Sequence, residues 1–182
     1  MQKRQTGNKL MEVPITVNIP PSPPAYVQTV DQPGSFTNYQ NQQEARRQYE
    51  VVVACLVLEA GGEGKIGMEA VNEVLNNRAK QKFGNDAVSS KYAVAIAPKQ
   101  FSCFNGGTEY AVQAAKKHPN WSTAENIVKA APTNHTNGAR YYYANRGRNA
   151  IKPPSWAAVY LKRGAKTVQI GNHLFLYGFK GN

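Results

Sequence analysis

The sequence predicts an α+β fold, a mainly helical body closed by a small antiparallel sheet at its C-terminal end. Three observations predict it. Apolar residues recur at helical spacing from Tyr49 onward. After Asn137-Gly138 the period changes to alternation. Gly171-Asn172 then separates two short alternating runs, as a two-residue hairpin loop does.

Ahead of this body, residues 1–45 have another character. Pro14, Pro20, Pro21, Pro23, Pro24 and Pro33 stand among Gln, Asn, Ser and Thr, a mixture that forms neither helix nor packed core. It reads as an extended, polyproline-like arm. An arm of this length rarely holds one conformation alone, so it is expected to lie on a partner or on its own domain. The division expected is thus 1–45 as the arm and 46–182 as the folded domain.

Within the domain, Tyr49, Val52, Val53, Leu56 and Val57 make the apolar stripe of a first helix, stopped by Gly61-Gly62. A second helix is expected from about Gly67 to Lys80, with Val71, Val74, Leu75 and Arg78 on one side. The stretch Tyr92 to Asn105 reads as irregular. Thr108 is expected to cap a helix running to Lys117. Ser122-Thr-Ala-Glu125 reads as a capping box opening another, with Ile127, Val128 and Ala131 inside. Strands are expected at 139–143, 166–170 and 173–177.

The chain of 182 residues carries a net charge of +11, placed unevenly. Residues 87–182 hold thirteen Lys or Arg against only Glu109 and Glu125, while the two earlier segments balance. Such a field attracts polyanions, and anionic wall polymers suit it as well as nucleic acid. No base-reading motif accompanies the charge, so nucleic acid is not the expected partner. No apolar run approaches the ~20 residues of a membrane span, and no apolar segment follows the charged start as in a secretory signal. The two cysteines cannot form a disulfide scaffold, and the three histidines lack metal-site spacing. No metal or cofactor is expected.

Glu59 lies three residues after Leu56 and seven after Val52, on the stripe that faces the core. A carboxylate there is costly to ionise, and a carboxyl that keeps its proton near neutral pH suits a general acid. By position alone the commoner case is a structural Glu held by an Arg or a backbone group. Gly61, Gly62 and Gly64 remove side chains beside it, which would let a bulky substrate approach. Glycosidases commonly flank the bond with two carboxyl groups. Since the C-terminal half is nearly free of acids, a second one would come from Glu63, Glu69, Glu73 or Asp86.

Five blocks, in order, then resemble a known family. Glu59-Ala-Gly-Gly-Glu63 resembles a Glu-Ala-Arg-Gly-Glu motif, and Val74-Leu-Asn-Asn-Arg78 resembles an Asn-Arg helix end. Gln100-Phe-Ser-Cys-Phe-Asn105 resembles Gln-Phe-Ser-Cys-Trp-Asn. Thr136-Asn-Gly-Ala-Arg-Tyr-Tyr-Tyr143 and Ile170-Gly-Asn-His173 resemble two C-terminal signatures. From about Arg47 to Gly178 the chain thus resembles the SleB-type cell wall hydrolases, the spore cortex-lytic enzymes. The resemblance implies a lysozyme- or lytic-transglycosylase-like domain that cuts peptidoglycan between N-acetylmuramic acid and N-acetylglucosamine. It maps the acid/base onto Glu59. Glu63, Gln100, Phe101, Ser102, Phe104, Asn105, Tyr141, Tyr142 and Tyr143 become candidate substrate-binding residues, with Phe101 and Phe104 serving either sugar stacking or the core. Alternation along the strand turns Tyr142 away from its two neighbours. Arg78 is expected to buttress the helix pair, and His173 to be structural.

The sequence departs from the motif at two places. Gly61 stands where the family has Arg, which removes a cation beside the acid. Arg140-Tyr141 stands where Thr-His is frequent. A wall hydrolase with no secretion signal and a Pro-rich arm is expected in a bacteriophage, made in the host cytoplasm and carried on the virion with residues 1–45 on a tail or capsid protein. Other readings are a virion protein that keeps the fold without activity, and a cysteine-dependent peptidoglycan amidase or endopeptidase using Cys103 with His135 or His173.

Overall fold

The computed structural model describes residues 35–145 and 152–179. Helix α1 runs Ser35–Ala60 and begins eleven residues before the expected start of the domain at residue 46. The reason lies in composition. Between Gly34 and Gly61 there is neither Pro nor Gly, and charged pairs one turn apart hold the exposed first half. Arg47 Nε donates to Glu44 at 2.9 Å, and Arg46 Nε to Glu50 at 3.1 Å. Residues 35–45 are therefore helical, not extended; the remainder of the proposed arm, 1–34, lies outside the described residues.

Two turns in the second half of α1, residues 51–57, are buried on all sides. Val51 through Val57 are each at most 3% exposed, so the helix passes through the core. The stripe read from the sequence captured only part of this, because Val51, Ala54 and Cys55 are enclosed as well. Around α1 pack α2 (Gly64–Phe83), α3 (Val88–Ala95), α4 (Thr108–Lys116) and α5 (Trp121–Lys129). A single 3-10 turn, Gly61–Glu63, joins α1 to α2, and another covers Ser102–Phe104.

Two helical details differ from expectation. Helix α3 occupies the start of the stretch read as irregular. Helix α5 starts at Trp121, and no side-chain cap forms at either α4 or α5. At α5 the residue in the cap position, Asn120, is engaged elsewhere: its side-chain amide donates to the Gly61 carbonyl at 2.8 Å.

At the C-terminal end, β1 (Tyr141–Ala144), α6 (Ser155–Lys162), β2 (Lys166–Ile170) and β3 (His173–Tyr177) complete the domain. The fold is α+β as the sequence predicts, with a three-stranded antiparallel sheet ordered β1-β3-β2. Tyr142 pairs with Phe175, and Ile170 with His173 across the Gly171-Asn172 hairpin. Phe175, fully buried, packs one face of the sheet onto Ala70 and Val74 of α2. Tyr142 packs against both this cluster and the larger helical core. Among the described residues no helix is long and apolar enough to cross a membrane.

Candidate active site

Glu59 lies in the last turn of α1, half-buried, where the helix gives way to the 3-10 turn. Its Oε2 accepts a hydrogen bond from the Tyr142 hydroxyl at 2.8 Å, across 83 residues of sequence. Burial pushes the Tyr142 phenol well above its ordinary pKa, and the adjacent Glu59 carboxylate adds to the effect. Tyr142 therefore keeps its proton, and stays a hydrogen-bond donor, beyond the pH at which an ordinary phenol ionises. That bond occupies one carboxylate oxygen.

The Tyr142 ring stands 5.2 Å from Phe175 and meets His173 edge-on at 4.9 Å. His173 Nδ1 lies 3.1 Å from Glu63 Oε2, and both side chains are about a tenth exposed, at 11% and 10%. Glu63 is walled in by glycine: a Cβ on Gly171, which has φ +53°, would come within 2.5 Å of Glu63 Oε2. The two acids of the Glu59–Glu63 block thus take separate partners, one a tyrosine from β1 and the other a histidine from β3.

What places β1 is a second carboxylate. Glu73 of α2, 4% exposed, accepts from Thr133 Oγ1, Thr136 Oγ1 and the amides of His135 and Thr136 at 2.6–2.8 Å. Asn77 Nδ2 donates to the Ala139 carbonyl at 2.9 Å, and Arg78 Nε to that of Arg140 at 2.6 Å. One face of α2 therefore fixes the segment leading into β1, residue by residue. Arg78 also donates to Gln100 Oε1 at 3.2 Å and lies over the Phe101 ring at 5.2 Å, so it ties α2 to the approach to β1 and to the Gln100 segment, not to a second helix as expected.

The candidate residues divide. Gln100 is exposed and lines a cavity of about 210 Å³ with Arg78 and Tyr141. Phe101, only 4% exposed, belongs to the core, and Phe104 is half-buried against it. Ser102 and Asn105 are exposed on and after the 3-10 turn. Tyr141 and Tyr143 turn away from Tyr142 and contact Trp156 of α6, at 6.0 and 6.2 Å between ring centroids. Of the other acids near Glu59 in sequence, Glu69 bonds His135, Glu73 is held by its loop, and Asp86 pairs with Lys80.

Gly61 is not the open backbone its glycine suggests. The His118 ring covers it, and a Cβ at position 61 would come within 2.9 Å of His118 Cε1. The space beside the acid that a side chain at 61 would enter is taken by a residue 57 positions away. His118 and Asn120, Trp156 and Tyr160 carried no motif that could have marked them in advance. For the cysteine reading, no histidine is hydrogen-bonded to Cys103 among the described residues. His135 is hydrogen-bonded to Glu69 and His173 to Glu63.

Residues 62–176 match the family model described as Cell Wall Hydrolase. The chain belongs to the cell wall hydrolase family. Membership makes this an enzyme acting on peptidoglycan, a hydrolase of the cell wall. The matched stretch takes in Glu63, the Gln100–Asn105 block, the three tyrosines and His173, and begins just after Glu59. No curated protein and no solved structure matches the chain.

Proposed function

We propose that this cell wall hydrolase cleaves the glycan strand of peptidoglycan between N-acetylmuramic acid and N-acetylglucosamine, with Glu59 as its one acid and base. The observation that carries the reading is the Tyr142–Glu59 hydrogen bond of 2.8 Å. It brings the first motif block to the tyrosine strand and orients a half-buried carboxyl group. The protonated carboxyl gives its proton to the glycosidic oxygen as the bond to C1 breaks. The resulting carboxylate then takes the proton of the C6 hydroxyl, whose oxygen closes on C1 to form an anhydro ring, while the substrate's acetamido group stabilises the cation.

The surroundings support a route with a single carboxyl group. Glu63, the nearest acid in sequence, is engaged by His173 and enclosed by Gly67 and Gly171. It acts as a positioning residue for the strand that carries His173, not as a second reacting group. Gln100 and Tyr141 would meet the substrate, and Ser102, Asn105 and Tyr143 would lie at the margin. Mass spectrometry of the released muropeptides tests the route: the anhydro product is lighter by one water, and fully hydrated ends would exclude ring closure.

Tyr142→Phe keeps the packing on Phe175 and His173 and removes only the hydroxyl. Cleavage of purified peptidoglycan is expected to slow about tenfold, with stability changed by about 1 kcal/mol. A melting temperature several degrees lower with activity unchanged would make the Tyr142 hydroxyl a structural partner of Glu59 with no part in the reaction.

Association with a phage tail or capsid through residues 1–45 is supported by the Pro-rich composition of the first 34 residues. Removal of residues 1–34 is expected to abolish incorporation into particles while sparing cleavage. Full incorporation of the shortened chain, measured by immunoblot of purified particles, would exclude docking by that segment.

A further inference from the structure

A cavity of about 320 Å³ is lined by Gln100, Tyr141 and Tyr142 together with side chains that take no part in the proton transfers proposed above. It wraps around β1, an edge strand of the sheet, and so gathers Tyr142 from one face of that strand and Tyr141 from the other. Opposite Tyr141 stand Trp156 and Tyr160, one helical turn apart on α6, with ring centroids 6.0 and 5.0 Å from it. Trp156 is 40% exposed although it is the largest side chain in the cluster. An indole left half in water at the mouth of a cavity offers a flat apolar face to a ligand.

The rest of the lining is cationic. Arg78 and Lys99 face the cavity together with Gln100. The Arg78 guanidinium has given two N–H groups to Arg140 and Gln100 and also lies over the Tyr141 ring at 5.6 Å. Three of its five N–H donors have no acceptor among the described residues, and no carboxylate pairs with it there. Lys99 sits at φ +64°, a left-handed conformation unusual for a lysine, at the turn that delivers it to the same opening. An aromatic face next to cations without a paired acid suits a ligand that is apolar on one side and anionic at one edge.

We propose that this cavity is a binding subsite for a sugar bearing a carboxylate, with the pyranose ring against Trp156 and Tyr160 and the carboxylate at Arg78 and Lys99. The C–H groups of a pyranose carry the partial positive charge that an aromatic face attracts. The guanidinium edge presents its donors in the plane a carboxylate requires. In peptidoglycan the sugar with that chemistry is the muramyl unit freed of its stem peptide, whose lactyl ether then ends in a carboxylate; with the peptide attached that carboxyl is a neutral amide. The inference rests on the glycan-strand reading above. It adds that the muramyl side of the bond is recognised on the α6 side of β1.

The test measures binding, not turnover. The full chain carrying Glu59→Gln is titrated with soluble peptide-free glycan fragments containing N-acetylmuramic acid, and in parallel with chitooligosaccharides, which have the same pyranose and acetamido group but no carboxylate. The muramyl fragments are expected to bind at least tenfold more tightly. Adding Trp156→Ala is expected to weaken them about tenfold, whereas Trp156→Phe, which keeps a ring, retains most of the affinity. Lys99→Asn, chosen because Asn tolerates the left-handed backbone, is expected to narrow the gap between the two ligands. Unchanged affinity in the Trp156→Ala chain, or equal affinity for the two ligands before Lys99 is altered, would overturn the subsite. A Glu59→Gln chain that still cleaves would overturn the acid and leave the subsite standing.

Discussion

Glu59→Gln is expected to lower peptidoglycan cleavage by about 10²–10⁴-fold, the range a general acid contributes, while the melting temperature moves little. Gln is nearly the size of Glu and still offers the Tyr142 hydroxyl an acceptor, so the 2.8 Å contact survives the change. What it cannot do is give a proton and take one back. Clearing on peptidoglycan gels, over a range of pH, reads the outcome directly. Clearing at the wild-type rate would remove Glu59 from the chemistry. The comparison with Tyr142→Phe sharpens the result, because that variant keeps the carboxyl group and loses its orientation. A loss of several orders of magnitude for one and about tenfold for the other is the pattern expected of an acid and its holder.

Glu73→Ala carries the largest expected effect on stability. The carboxylate is buried and satisfies four donors from one loop, two hydroxyls and two amides. Truncation leaves all four in a site with little water, and a cost of about 3–5 kcal/mol is expected. Denaturant unfolding measures it; a change below 1 kcal/mol would show that the loop finds other partners. A dependence on pH follows. Burial alone would raise the Glu73 carboxyl, but hydrogen bonds from Thr136, Thr133 and the two amides outweigh it and hold the group below its ordinary value. Since the folded pKa is the lower one, the stabilisation is fully present above the unfolded value of about 4.3. It is lost as the pH falls through the folded value. In the Ala variant that part of the acid dependence is absent.

The helical body was legible because its apolar residues recur at 3.6-residue spacing, and the hairpin because Gly171-Asn172 admits few other conformations. Helix α6 was not legible. It spans eight residues after Pro153-Pro154, too short for a period to declare itself. The Ser122 capping box misled for a tertiary reason, since Asn120 answers to the Gly61 carbonyl and the helix begins without a side-chain cap. At the site, alternation alone set Tyr142 apart from Tyr141 and Tyr143. No periodicity could reveal that Tyr142 bonds Glu59, or that His173, read as structural, holds the second acid of the same motif. These contacts join residues 83 and 110 positions apart, and they depend on how α2 fixes the segment that enters β1.

The His118 ring over Gly61 bears on how this sequence can change. With the imidazole in place, a larger residue at 61 meets it at once; with the imidazole removed, Gly61 is left facing a void. Each change alone is costly and the pair together need not be, so the two positions are coupled and their effects are not additive. A larger side chain at 61 would be accommodated by first shortening His118, through an intermediate worse than either end. The imidazole supplied from between α4 and α5 thus acts as a lock on the glycine at 61.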